Sequence, residues 1–326
     1  MWGNPLGWII SAGLSLALSF LLYIGAMPPK PTPPINAPVL DVARKPIALP
    51  VAPDTVVRLG AKPGDAGSLY RKAIEEYQAN SDTYAKFSER PTSVSAKQLV
   101  VTDLILQARD LKDCTLFQNK LTEAINYDNA EPSLDAIQNA GSICCRLALL
   151  NINNKYQGHK PDLALKLWEA AFVLGVHLYD ERVSWLEMVD GHGLMAEAAG
   201  GLKKYYTEVK KDPKQVAAID AFVSAEDAYQ SSMNDAFKII GGVDENYCGR
   251  YAGDIYAIAV NDKADPMFRV ECIKHIGRYR YNSNSIGDQM AANRTLIKLL
   301  DDAKATVKAA ATAAHDLTIE KFHTFG

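Results

Sequence analysis

The chain has 326 residues, a formal net charge of −3, 48% hydrophobic side chains and 22% charged ones. That is ordinary for a globular protein, and without an excess of basic residues there is no global field for nucleic acid, so no nucleic-acid partner is expected. The five cysteines (Cys114, Cys144, Cys145, Cys248 and Cys272) are odd in number and irregular in spacing, which excludes a disulfide framework; they read as packed core thiols. In an oxidising compartment, Cys114 could reach the 144/145 pair and Cys248 could reach Cys272.

The first 27 residues carry no Asp, Glu, Lys, Arg or His, and Leu6–Met27 is long enough to cross a bilayer core. A basic n-region and a good small-x-small cleavage site are both missing, so the stretch reads as a retained anchor over 1–27 rather than a signal peptide. Trp2, Trp8 and Tyr23 suit its two interfaces. Gly7, Ser11, Ser15 and Ser19, four residues apart, form a small-residue stripe on which a second membrane helix could pack. The basic flank (Lys30, Arg44, Lys45) argues for a cytoplasmic body, yet the arrangement of one short span followed by prolines favours an extracytoplasmic one.

Ten of the sixteen prolines lie between Pro28 and Pro63. Proline fixes φ and removes a backbone donor, so residues 28–65 are expected as an extended, semi-rigid tether. From Gly67 onward the apolar residues recur at helical spacing, which predicts an all-α body over 66–326. Pro132, Pro161, Pro213 and Pro266 mark helix starts, with Asp212 and Asp265 as N-caps; Gly158 and the glycine pairs 200–201 and 241–242 read as stops. Nine or ten helices follow, as an irregular bundle or, given the near-equal spacing of the last three of these prolines, an α-solenoid-like array.

The stretch LALKLWEAAFVLGVHLYDERVSWLEMVDGHGLMAEAAGGL (Leu163–Leu202) resembles a pattern in uncharacterised, N-terminally membrane-anchored bacterial α-helical proteins. There a Leu/Ala-rich helix, an acidic turn and a second helix follow one another, here Leu163–Tyr179, Asp180–Glu181 and Val183–Leu202. The resemblance implies the architecture and no chemistry.

The densest polar group is His177, Asp180, Glu181, Asp190 and His192. His177 and Glu181 stand four apart, so one helix could aim both at a metal ion, but the His-Glu-x-x-His order is absent. The same residues could instead cap and solvate a helix end. The glycines flanking His192 are costly in a helix and point to a kink or a close helix crossing. Cys272 and His275 have ligand-like spacing without a second pair. Arg278, Tyr279, Arg280 and Tyr281 interleave charge and aromatic rings but read as a solvated face with core tyrosines. The last helix carries a stripe of Leu296, Leu300, Ala303, Val307, Ala310, Ala314 and Leu317, which either packs on the chain's own helices or receives a partner through Leu300, Val307 and Ala314.

Together these features predict a single-pass membrane protein whose helical body acts as a non-catalytic interaction scaffold. Its partners would be the lipid bilayer and a protein or second copy bound through the anchor or last helix, with no cofactor. The alternative is a ligand- or metal-binding protein or enzyme with a cavity lined by His177, Asp180, Glu181 and His192.

Overall fold

The structure is a computed structural model and describes residues 38–89, 96–117, 132–152, 159–241, 251–277 and 286–323. Among the described residues there are eleven α-helices: α1 Gly67–Ala79, α2 Ser81–Glu89, α3 Ala96–Ala108, α4 Pro132–Ile152, α5 Pro161–Glu181, α6 Trp185–Tyr205, α7 Pro213–Ile240, α8 Ala252–Ala259, α9 Pro266–His275, α10 Ile286–Leu299 and α11 Ala305–His323. Two short strands, β1 (Lys62–Asp65) and β2 (Leu111–Asp113), pair in parallel. The result is an irregular helical bundle. The four prolines each occupy the first helical position, where the missing N–H costs nothing. Asp212 Oδ1 accepts from Lys214 N and Gln215 N, and Asp265 Oδ1 accepts from Met267 N at 3.0 Å, so both aspartates cap as the sequence suggests.

The described residues divide into two compact units, one within 47–235 and a second built from both flanks, 38–46 with those from 236 onward. In the first unit, α5 and α6 form an antiparallel hairpin on which α4 packs, and α1 packs on α3 and α4. The hairpin is closed by a capping box. Ser184 Oγ accepts from Glu187 N at 3.2 Å, and the Glu187 carboxylate returns to Val183 N at 2.7 Å. Arg182, at φ 28°, makes the turn and donates to the carbonyls of Tyr179, Asp180 and Ile47. Where the helices cross, Gly175 meets Gly191: a Cβ on either would lie 2.7 Å from the carbonyl oxygen of the other. The sequence stop expected at Gly200–Gly201 is not taken, because α6 runs on to Tyr205 with Gly201 pressed under the Trp168 indole.

In the second unit, α9 packs on α8 and α11, and α11 also packs on α10. Arg269, 2% exposed, donates to the Ala259 carbonyl at 3.0 Å and holds Asp302 with both terminal nitrogens. Arg44 pairs with the buried Asp254, and Asn261 and Asp265 donate to the Arg44 and Lys45 carbonyls. Val307 and Ala314 are fully buried and Leu300 half-buried, so this stripe is taken up by the chain's own helices.

Several expectations are corrected here. The anchor over 6–27, with Gly7, Ser11, Ser15 and Ser19, lies outside the described residues, as do residues 28–37, Cys248, and the Arg278–Tyr281 cluster. Among the described residues no helix is long and apolar enough to cross a membrane. Their apolar faces are spent on one another, so single-pass topology, a bilayer partner and a membrane location are withdrawn. Nor are residues 38–57 a bare spacer: Pro38–Leu40, Val42–Arg44 and Pro53–Thr55 form single-turn 3-10 helices, and Leu40, Ala43, Ile47, Val56 and Val57 are buried. Proline excluded long helix from this stretch without excluding apolar burial.

Candidate functional site

The polar group that the sequence brings together is dispersed by the fold. His177 lies inside the first unit, where Tyr70 Oη stands 2.9 Å from its Nδ1 and its other ring nitrogen bonds the Leu111 backbone. Burial lowers its pKa to about 4, so the ring is neutral and both nitrogens are occupied in tying α5 to α1 and β2. Glu181 caps the 116–117 backbone, accepting from Leu116 N at 2.8 Å and Phe117 N at 2.7 Å. Asp180 is exposed beside Arg182. His192 points elsewhere, its Nε2 lying 3.4 Å from Asp227 on α7. Among the described residues no three His, Cys, Asp or Glu side chains could hold a metal ion. The expected cavity lined by His177, Asp180, Glu181 and His192 does not form, and that reading is corrected with it. The described cysteines, Cys114, Cys144, Cys145 and Cys272, are all free.

What does form is a cleft between α6 and α7. His192, Met195 and Ala196 line it from α6, and Phe222, Val223, Glu226 and Asp227 from α7, enclosing about 170 Å³ of empty space including its open mouth. Helical spacing puts these residues on facing sides: 192, 195 and 196 share one stripe of α6, and 222, 223, 226 and 227 one stripe of α7. The edge-tilted rings of Phe172 and Phe222, centroids 5.4 Å apart, anchor α7 against α5 beneath the cleft.

Glu226 is the unusual residue. It is 2% exposed, and neither carboxyl oxygen has a hydrogen-bond partner. Tyr179 Oη lies against it without a well-formed bond, and Gln230, one turn on and 5% exposed, has both amide ends unpaired. Burial raises the Glu226 pKa to about 7, partly offset by Tyr179, so the group exchanges its proton near neutrality. Burial also lowers the His192 pKa, against the pull of Asp227, so the imidazole does not neutralise the carboxylates by being charged. A buried acid with free lone pairs is costly unless a donor satisfies it, which is the chemistry of a cation acceptor.

Sequence reading named His192 and missed Glu226, Asp227 and Gln230. The signal was present. Ile219, Phe222, Glu226, Gln230 and Met233 follow helical spacing, all are buried, and two of the five are polar where apolar residues belong.

Comparison with known proteins returns no matching family model, no matching curated protein and no matching solved structure. The resemblance drawn from residues 163–202 is therefore not established, and the membrane-tethered scaffold it accompanied is set aside; what stands is an all-α domain with an acidic cleft between α6 and α7.

Proposed function

We propose that this chain is a binding domain for a positively charged organic group, a guanidinium or primary ammonium, received by Glu226 in the α6–α7 cleft. The observation that carries this reading is the almost complete burial of Glu226, whose carboxyl oxygens make no well-formed hydrogen bond although Tyr179 Oη lies against them. Gln230 and Tyr179 add a neutral acceptor and donor nearby, and Asp227 adds a second carboxylate at the mouth. As it stands the cleft has no room for a water-sized sphere, so a cationic group reaches Glu226 only when lining side chains such as Met195 turn aside. Phe222, Val223 and Met195 supply apolar walls for the alkyl stem.

Binding a cation favours the ionised carboxyl, so it expels the proton that Glu226 holds below about pH 7. Calorimetric titration with methylguanidinium and n-butylammonium, repeated from pH 6 to 8 and in buffers of different ionisation enthalpy, tests this. Affinity should rise with pH through about 7 with proton release, and Glu226→Gln should abolish it. Binding that Glu226→Gln leaves intact, or no binding at any pH, would overturn the reading.

A further inference from the structure

The turn between α5 and α6 brings two carboxyl groups into contact away from water. Glu181, the last residue of α5, accepts from Leu116 N at 2.8 Å, from Phe117 N at 2.7 Å and from the Cys114 thiol at 3.6 Å. Three donors on one carboxyl fix it as the ionised member. Glu187, 1% exposed in the first turn of α6, accepts from the Val183 and Ser184 backbone and lies in hydrogen-bond contact with Glu181. Two touching carboxylates cannot both stay charged in a dry site, so Glu187 keeps a proton and donates it to Glu181.

What this pair holds is the short stretch after β2. Leu116 and Phe117 are 2% and 3% exposed, and Glu181 takes both of their backbone donors. Thr115 is fastened differently: it gives its N–H and hydroxyl to Asp65, and its carbonyl accepts from Arg71. Although burial works to raise it, the Thr115 and Gly67 bonds leave the Asp65 pKa below the ordinary carboxylate value, so that anchor stays ionised.

The groups around the pair offer no relief for a second negative charge. From β2 and the residue after it come Asp113 and Cys114; burial, then Glu181, Glu187 and Asp65, push the thiol pKa up, so it stays protonated. From α1 comes Tyr70, bonded to His177 of α5, whose ring is neutral above about 4. Asp180 is acidic, and Arg182 uses its guanidinium on the carbonyls of Tyr179, Asp180 and Ile47. Glu187 is tied at its own helix start by the capping box, whereas Glu181 sits half-buried at a helix end. Repulsion therefore moves Glu181.

We propose that Glu181 and Glu187 form a proton-operated latch: the proton they share keeps residues 116–117 docked on the α5–α6 turn, and its loss lets that stretch swing away from a hinge at Thr115. The latch is independent of the α6–α7 cleft.

The test follows hydrogen exchange of the full chain from pH 5 to 8, each amide rate divided by its intrinsic rate at that pH. Once the latch opens, Glu187 meets water and ionises as an ordinary glutamate does, at about 4.3, so opening releases one proton. The closed state is thus favoured at low pH, and protection at Leu116 and Phe117 should fall about tenfold per pH unit. Thr115 and the amides of α5 and α6 should lack that slope. Asp190 and Glu226 titrate near 6 and 7, so a variant must assign it. Glu187→Gln still accepts from Val183 N and donates to Glu181 but cannot ionise, and should flatten the slope at 116 and 117. A flat wild type, or a slope that persists in Glu187→Gln, would sink the latch. Should that variant fail to fold, the wild-type contrast decides alone: equal loss at Thr115 and along α5 would mean that the unit melts as a whole, and the inference falls.

Discussion

Gly175 and Gly191 touch backbone to backbone at the crossing of α5 and α6, each occupying the space that the other's side chain would need. Gly175→Ala or Gly191→Ala must push the helices apart in a fully packed region and should destabilise the first unit by about 1–3 kcal/mol. Gly193→Ala, two residues away but facing open space, should instead stabilise it by up to about 1 kcal/mol through helix propensity. Urea unfolding of the three variants would show opposite shifts in midpoint; like shifts would refute the crossing.

His177 predicts the acid limb of stability. Its pKa is about 4 in the fold against 6.5 for an ordinary histidine. The unfolded chain therefore takes up a proton first as pH falls, so stability is complete above about pH 6.5 and is lost down to about 4, by roughly 3 kcal/mol at most. His177→Gln, which does not titrate, should flatten this limb. Tyr70→Phe strips the Nδ1 of its donor and should cost about 1–3 kcal/mol.

Glu187 predicts the opposite limb. Burial, then the neighbouring Glu181 carboxylate, raise its pKa well above that of an ordinary glutamate, while the Val183 and Ser184 backbone bonds hold it down. A raised folded value means that its stabilising contribution is present at low pH and disappears as pH climbs through that value. Glu187→Gln keeps an acceptor for the Val183 N–H and should lessen the alkaline loss, followed as melting temperature against pH. Glu187→Ala removes the cap and should lower the melting temperature at every pH.

Arg269 is the buried cation of the second unit, bound to Asp302 and to the Ala259 carbonyl. Arg269→Met would leave Asp302 without its partner at a cost of about 3–5 kcal/mol. Hydrogen exchange should then quicken across α8, α9 and α11, while α4, α5 and α6 keep their protection. Uniform quickening would refute this assignment.

Much of the bundle was legible because proline at the first helical turn is a local signal that needs no tertiary context: Pro132, Pro161, Pro213 and Pro266 all opened helices. The site was less legible. The sequence ends this helix at Tyr179 and puts Glu181 in a turn, whereas the helix runs on to Glu181; and the four-residue spacing of His177 and Glu181 says nothing about what faces them. One met Tyr70 and the Leu111 backbone, and the other met the 116–117 backbone. Gly201 reads locally as a stop, and only the Trp168 ring above it explains why the helix continues. Glu226 could have been found as a polar residue on an apolar stripe, the kind of inconsistency that marks function. The β1–β2 pair could not, because strands of four and three residues are too short to show alternation.

The second unit gathers residues 38–46 together with 236 onward, and the Arg44–Asp254 pair joins positions 210 apart in sequence. During synthesis its first segment emerges well before its last helices, with the whole of 47–235 made in between. The contiguous unit can therefore fold on the ribosome while the Leu40–Arg44 segment waits with its apolar side chains uncovered. Long-range pairing of this kind is slow, so the last event in the folding of this unit should be the return of α8 and α9 to a stretch of polypeptide made before residue 47.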